Sequence, residues 1–186
     1  CVALCAEYAE RMDCGHRRDT RFDGRARVSK SDPEIRLIGK ITIALITALV
    51  ALIIGVRMIA QRAPRPDRMG VVSGRLVSCP DKPNCVSTFE GAAPFAYEGS
   101  RDRARDALFA VLTEWPRTEL IQTRSDYIHV EFRSRIFSFI DDGEFYLPDG
   151  ENVIHYRAAA RTGNSDMGVN TARMEDIWSK IRATKE

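Results

Sequence analysis

Asp141, Asp142 and Glu144 place three carboxylates within four residues. Crowded carboxylates bind hard cations and shift one another's proton affinity, so the trio reads as a metal site or an acid–base pair. The same letters suit a polar strand–turn–strand junction, where Asp and Gly are favoured. Arg157, Arg161, Ser165, Asp166, Asn170 and Arg173 form a denser polar group. Arginines four apart, then a Gly-containing loop and a helix start, could hold a carboxylate or phosphate. Alternatively Arg157 and Arg161 pair with Asp141, Asp142 or Asp166 and lock the loop to a sheet. His129, Glu131 and His155 would meet as metal ligands if their strands paired; a solvated strand face is the simpler reading. No Ser-His-Asp order, nucleotide-binding glycine loop or Cys-x-x-Cys pair occurs. No catalytic residue is assigned, no cofactor is expected, and the chain leans away from enzymes.

Elements must position these groups. Residues 100–115 read as an amphipathic helix, with Ala104, Leu108, Val111, Leu112 and Trp115 at helical spacing, Ser100 as N-cap and Pro116 as the stop. Residues 118–123 and 127–132 read as strands. In the second, Ile128, Val130 and Phe132 share one face, and Tyr127, His129 and Glu131 the other. Residues 135–140 and 144–147 read as strands flanking Asp141-Asp142-Gly143. Pro148-Asp-Gly150 is a turn, 152–159 a strand, and 161–169 a Gly-rich loop. A last helix is expected over 171–184, with Asn170 as N-cap and Met174, Ile177, Trp178 and Ile181 on one face. The fold class is α+β: an antiparallel sheet with two helices packed on one face, preceded by a transmembrane helix.

That preceding helix is the longest apolar stretch. Residues 41–56 carry no charge, and 37–60 span about 36 Å as a helix once Lys40 and Arg57 snorkel, enough for a bilayer core of about 30 Å. An uncleaved anchor from Leu37 to Ala60 is the reading; a cleaved signal peptide lacks a good cleavage site, and a lipoprotein lacks its cysteine. Residues 1–36 read as a tail or a non-native extension. The first residue is Cys1 and Met12 is an alternative start, so Cys1, Cys5 and Cys14 are given no structural role. Residues 61–76 read as a linker stiffened by Pro64 and Pro66, and 77–186 as the soluble domain.

Flanking basic residues barely orient the span: six Lys/Arg lie in the twenty residues before Ile41 and five in the twenty after Val56. Cys79 and Cys85 help. The turn Cys79-Pro-Asp-Lys-Pro-Asn-Cys85 could bring the sulfurs together, and a disulfide requires an oxidising compartment. The other reading is two free thiols in a cytosolic loop. Residues 79–186 carry fourteen Lys/Arg against eighteen Asp/Glu. Such an acidic domain lacks the basic face that nucleic acid demands, whereas arginines beside a span suit lipid headgroups.

Three ordered motifs carry a resemblance. Cys79-Pro-x-x-Pro-Asn-Cys-Val-Ser87, Phe139-x-Asp-Asp-x-Glu-Phe145 and Arg157-x-Ala-x-Arg-x-Gly-x-Ser-Asp-x-Gly-Val-Asn170, with Arg173 and Glu175, resemble the domain of unknown function 1499 over residues 77–182. Thr88, Gly143, Tyr156 and Asn164 depart from its usual residues. The family often follows a signal or anchor, and its activity is not established. The resemblance implies an exported or anchored domain and supplies no chemistry. The expectation is a bacterial inner-membrane, single-pass protein with its C-terminal domain in the periplasm. Its partners are the bilayer and either an envelope protein or an anionic ligand. The alternative is a metal-dependent hydrolase using Asp141, Asp142 and His129.

Overall fold

The structure is a computed structural model that describes residues 33–183; the expectations for Cys1, Cys5, Cys14 and the tail up to residue 32 lie outside the described residues. Helix α1, Pro33–Gln61, is 29 residues long. It begins earlier than the apolar run, with Pro33 at its start and Glu34 in its first turn, both favourable at a helix N-terminus. By length and composition it fits a membrane anchor or a signal sequence.

The part that follows α1 is α+β. Strands β1 (Val71–Val72) and β2 (Arg75–Leu76) form a small hairpin. Then follow β3 (Cys85–Ser87), a 3₁₀ turn at Thr88–Glu90, β4 (Phe95–Ala96) and α2 (Arg101–Glu114). Strands β5 (Thr118–Thr123), β6 (Tyr127–Arg133), β7 (Ile140–Tyr146) and β8 (Val153–Ala160) form a meander, and α3 (Val169–Ala183) closes the domain. The sheet order is β3-β8-β7-β6-β5, antiparallel throughout, with β4 also pairing along β8.

Period-two patterning decides which face is which. Ile128, Val130, Phe132, Phe145, Ile154, Tyr156 and Ala158 belong to the hydrophobic core with Leu108 and Leu112 of α2 and Met174, Ile177 and Trp178 of α3. Each fully buried aliphatic or aromatic side chain there contributes about 1.5–3 kcal/mol. Ser100 caps α2 as expected, accepting from the Arg103 amide at 3.3 Å.

Three local readings change. The turn lies at residues 134–139, not at Asp141-Asp142-Gly143: the Ser134 amide donates to Phe139 O (2.9 Å), the Phe139 amide donates to Ser134 Oγ (3.0 Å), and Ser138 takes φ 56°. Strand β7 therefore runs straight through both aspartates. Gly143 is not turn chemistry either. A Cβ there would sit 2.5 Å from Phe132 Cε2, so the missing side chain makes room for the Phe132 ring. Third, Asn170 lies inside α3 and is fully buried; Asp166 caps the helix, accepting from the amides of Gly168 (3.1 Å) and Asn170 (2.9 Å).

The segment expected as a linker also carries structure. It holds the β1–β2 hairpin, Leu76 is buried, and Val77 donates back to Gly70 O at 3.3 Å. Residues 62–76 form a strap against the polar face of the sheet, through the bonds described next.

Candidate functional site

The face of the sheet away from the helices is polar and still buried. Register explains the gathering: His129 of β6 sits opposite Glu144 of β7, Glu131 opposite Asp142, and Glu144 opposite Arg157 of β8. Glu131, Asp142, Glu144, His129 and Arg157 are each no more than 4% exposed. Charges this deep are tolerated only when paired and hydrogen-bonded.

Arginines do the pairing. Glu144 accepts from Arg157 Nη1 (2.9 Å), Tyr127 Oη (2.7 Å) and the strap's Gly70 amide (2.5 Å). Asp142 is gripped in bidentate fashion by Arg161 Nε and Nη2, both at 2.7 Å, and lies 2.8 Å from His129 Nε2. Glu131 accepts from Arg161 Nη2 (2.5 Å), the strap's Arg65 Nη2 (2.7 Å) and Arg133 Nη2 (3.1 Å). Arg161 thus bridges two acids, and the planar guanidinium fork suits that task better than an ammonium.

The electrostatics follow from these contacts. Burial pushes the Asp142 carboxyl up, but the bonds from Arg161 and His129 outweigh it and hold it below the usual range. Burial likewise opposes ionisation of Glu131, and Arg65 and Arg161 reverse the balance downward. Burial, and then the Glu144 charge, raise the Tyr127 phenol, so it stays a proton donor.

Asp141 lies on the helix side, separated from Asp142 and Glu144 by the pleat. It accepts from Arg173 Nη2 at 2.8 Å, and the Arg173 guanidinium stacks 4.5 Å from the Phe132 ring centre. Burial outweighs Arg173 and raises the Asp141 carboxyl. The Asp141–Asp142–Glu144 trio is therefore split between two faces. Among the described residues no group of three or more His, Cys, Asp and Glu side chains could hold a metal ion.

The arginine-loop constellation is likewise distributed. Arg157 and Arg161 serve the polar face. Arg173 serves Asp141 and also donates to Asn170 Oδ1 at 2.6 Å. Ser165 Oγ accepts from the Met167 amide at 3.1 Å, and Asp166 caps α3. His155 is one strand further from His129, with β7 between them; it lies 3.1 Å from Thr88 Oγ1 and stacks on Phe89.

Cys79 and Cys85 form a disulfide with Cα atoms 5.8 Å apart. The loop they close delivers Asn84, the motif's asparagine, which does more than shape the turn. Asn84 is 2% exposed; its Nδ2 donates to Gly163 O (3.0 Å) and Ala160 O (3.3 Å), and its carbonyl accepts from the Ala160 amide (3.0 Å). The first motif thus ties the loop after β8 in place. Arg65 was missed, because a basic residue in a Pro-rich stretch carries no periodic signal. Tyr127 had a signal, its shared face with His129 and Glu131.

Among the described residues, two of the clefts bear on these elements. The larger, about 800 Å³, lies against the aromatic stack of Phe95 and Trp178 and touches none of the polar-face network. The smaller, about 510 Å³, lies between the strap and β5–β6 and reaches Tyr127 and His129.

A search of curated proteins finds no match to this chain. The family model described as Protein of unknown function (DUF1499) matches residues 75–181, from β2 into α3 and across all three motifs. More than half of the chain is covered, and the chain belongs to the DUF1499 family.

Proposed function

We propose that this protein is a membrane-tethered extracytoplasmic domain that works by binding an anionic ligand, lipid headgroup or envelope partner rather than by catalysis. One observation carries the reading: the acids of the polar face are each held by arginine, and two of them also hold the strap that follows α1. A general acid or base needs a carboxyl or imidazole free to exchange its proton with substrate. Here Glu131, Asp142 and Glu144 are committed to guanidinium groups, an arrangement that suits a fixed scaffold.

The tether rests on α1 and its basic flanks, and the outward orientation on the Cys79–Cys85 pair. The bacterial inner membrane, with the domain in the periplasm, is the location this favours. In cells the full chain stays in the membrane pellet after alkaline carbonate washing, and a periplasm-dependent reporter fused after Glu186 is active. A chain released by carbonate, or an inactive reporter, sinks the tether or the orientation respectively. Binding without catalysis is checked by a thermal-shift screen of the full chain against divalent metals and phosphates. Stabilisation by a divalent metal alone would favour the metal-dependent hydrolase instead.

A further inference from the structure

The cleft of about 510 Å³ under the strap differs in kind from the network beside it. Its wall includes Arg65 and Gly70 from the strap and Gln122, Arg124, Tyr127 and His129 from β5–β6, and no Asp or Glu lines it. The lining therefore carries two guanidinium charges and no carboxylate, inside a domain that is acidic as a whole.

Both arginines have capacity left. Arg65 gives one Nη to Glu131 and is 51% exposed. Arg124 stacks 4.8 Å from the Tyr127 ring centre, lies 3.6 Å from Asp126 through Nε, and is 48% exposed. A guanidinium offers five donors, so each keeps N–H groups for an anion. Between them sits His129. Its Nε2 lies 2.8 Å from Asp142 Oδ1, and the residue lines the cleft. A ring fixed through one nitrogen presents the other in a set orientation, as in sites where histidine reads a ligand.

We propose that this cleft binds a phosphate-bearing small molecule or headgroup, with Arg65 and Arg124 taking the anionic oxygens and His129 Nδ1 meeting a ligand hydroxyl or phosphate oxygen. The proposal rests on the binding reading above and gives it a location. It also moves that location: Arg157, Arg161 and Arg173 are themselves largely buried against acids, whereas Arg65 and Arg124, paired with Glu131 and Asp126, stay about half exposed toward the cleft. Phosphate chemistry fits because bidentate guanidinium contacts match its oxygens. Free phosphate esters and anionic lipid headgroups share that chemistry.

The test uses the full chain in maltoside micelles, which contain no phosphate, with the His129 imidazole followed by NMR. Glycerol 3-phosphate is the soluble probe, and micelles doped with phosphatidylglycerol are the lipid probe. Saturable movement of the His129 signals is expected with at least one of them. If both act, the site takes free esters; if the doped micelles alone act, the source is the lipid. Arg124→Gln should weaken binding about tenfold or more, the usual loss for a charge-assisted hydrogen bond. Arg103→Gln, on the exposed side of α2, should leave it unchanged. Anion binding that ignores Arg124→Gln and leaves His129 unmoved overturns the cleft but spares the binding reading. No response to either probe overturns both the cleft and the anionic-ligand reading, while leaving the tether to its own fractionation test.

Discussion

Arg161 holds two buried acids at once, Asp142 through two bonds and Glu131 through a third. Removing it leaves buried Asp142 with His129 alone and Glu131 with Arg65 and Arg133. Arg161→Gln should therefore cost about 3–5 kcal/mol, the range for breaking a buried pair, read from urea unfolding of the full chain. Gly143 makes a second residue-scale prediction. Its absent side chain is replaced by the Phe132 ring, so Gly143→Ala should destabilise by about 1–3 kcal/mol through overpacking. Adding Phe132→Leu should recover part of that loss, because the clashing ring atom is gone. An additive double mutant would show that Gly143 is needed for some other reason.

Strap, central strand and disulfide loop set the element scale. Reducing the Cys79–Cys85 bond in the loop that carries Asn84 should cost about 2 kcal/mol by chain entropy. Unfolding with and without reductant measures it, and an unchanged midpoint would contradict it. The elements also show where the sequence was legible. Helix α2 with its Ser100 cap, strand β5 and the face shared by Tyr127, His129 and Glu131 all follow from local periodicity and capping. Strand β7 did not. Asp-Asp-Gly is turn chemistry locally, and only Arg161, Arg173 and the Phe132 ring, all remote in sequence, make a central strand of it. Asn170 was misread as the cap because Asp166, four residues earlier, takes its amide. The strap was invisible for the same reason: Arg65 and Gly70 bond to acids 66 and 74 residues away. Arg157 and Arg161 were recognisable as candidates, but whether their partner was a ligand or the chain's own acids was not written in their spacing.

At the scale of the whole molecule, the buried ionic layer makes stability depend on acid. Glu131 and Asp142 have folded values below their ordinary 4.5 and 3.8. Their contribution is complete above those unfolded values and is lost as pH falls through the lower folded ones. Asp141, whose value is raised, works in the opposite direction and offsets part of the loss. The urea midpoint should stay level near neutral pH and fall below about pH 4.5, with a shallower fall in Arg161→Gln. The layer also makes the strap part of the domain: Arg65 and Gly70 couple it to β6 and β7. Native-state amide exchange of the full chain in micelles tests that coupling most directly. The Gly70 amide, bonded to Glu144 at 2.5 Å, should exchange as slowly as amides of β6 and β7, and much faster in Glu144→Ala. Exchange of Gly70 at the rate of a free linker in the unaltered protein would contradict the lock.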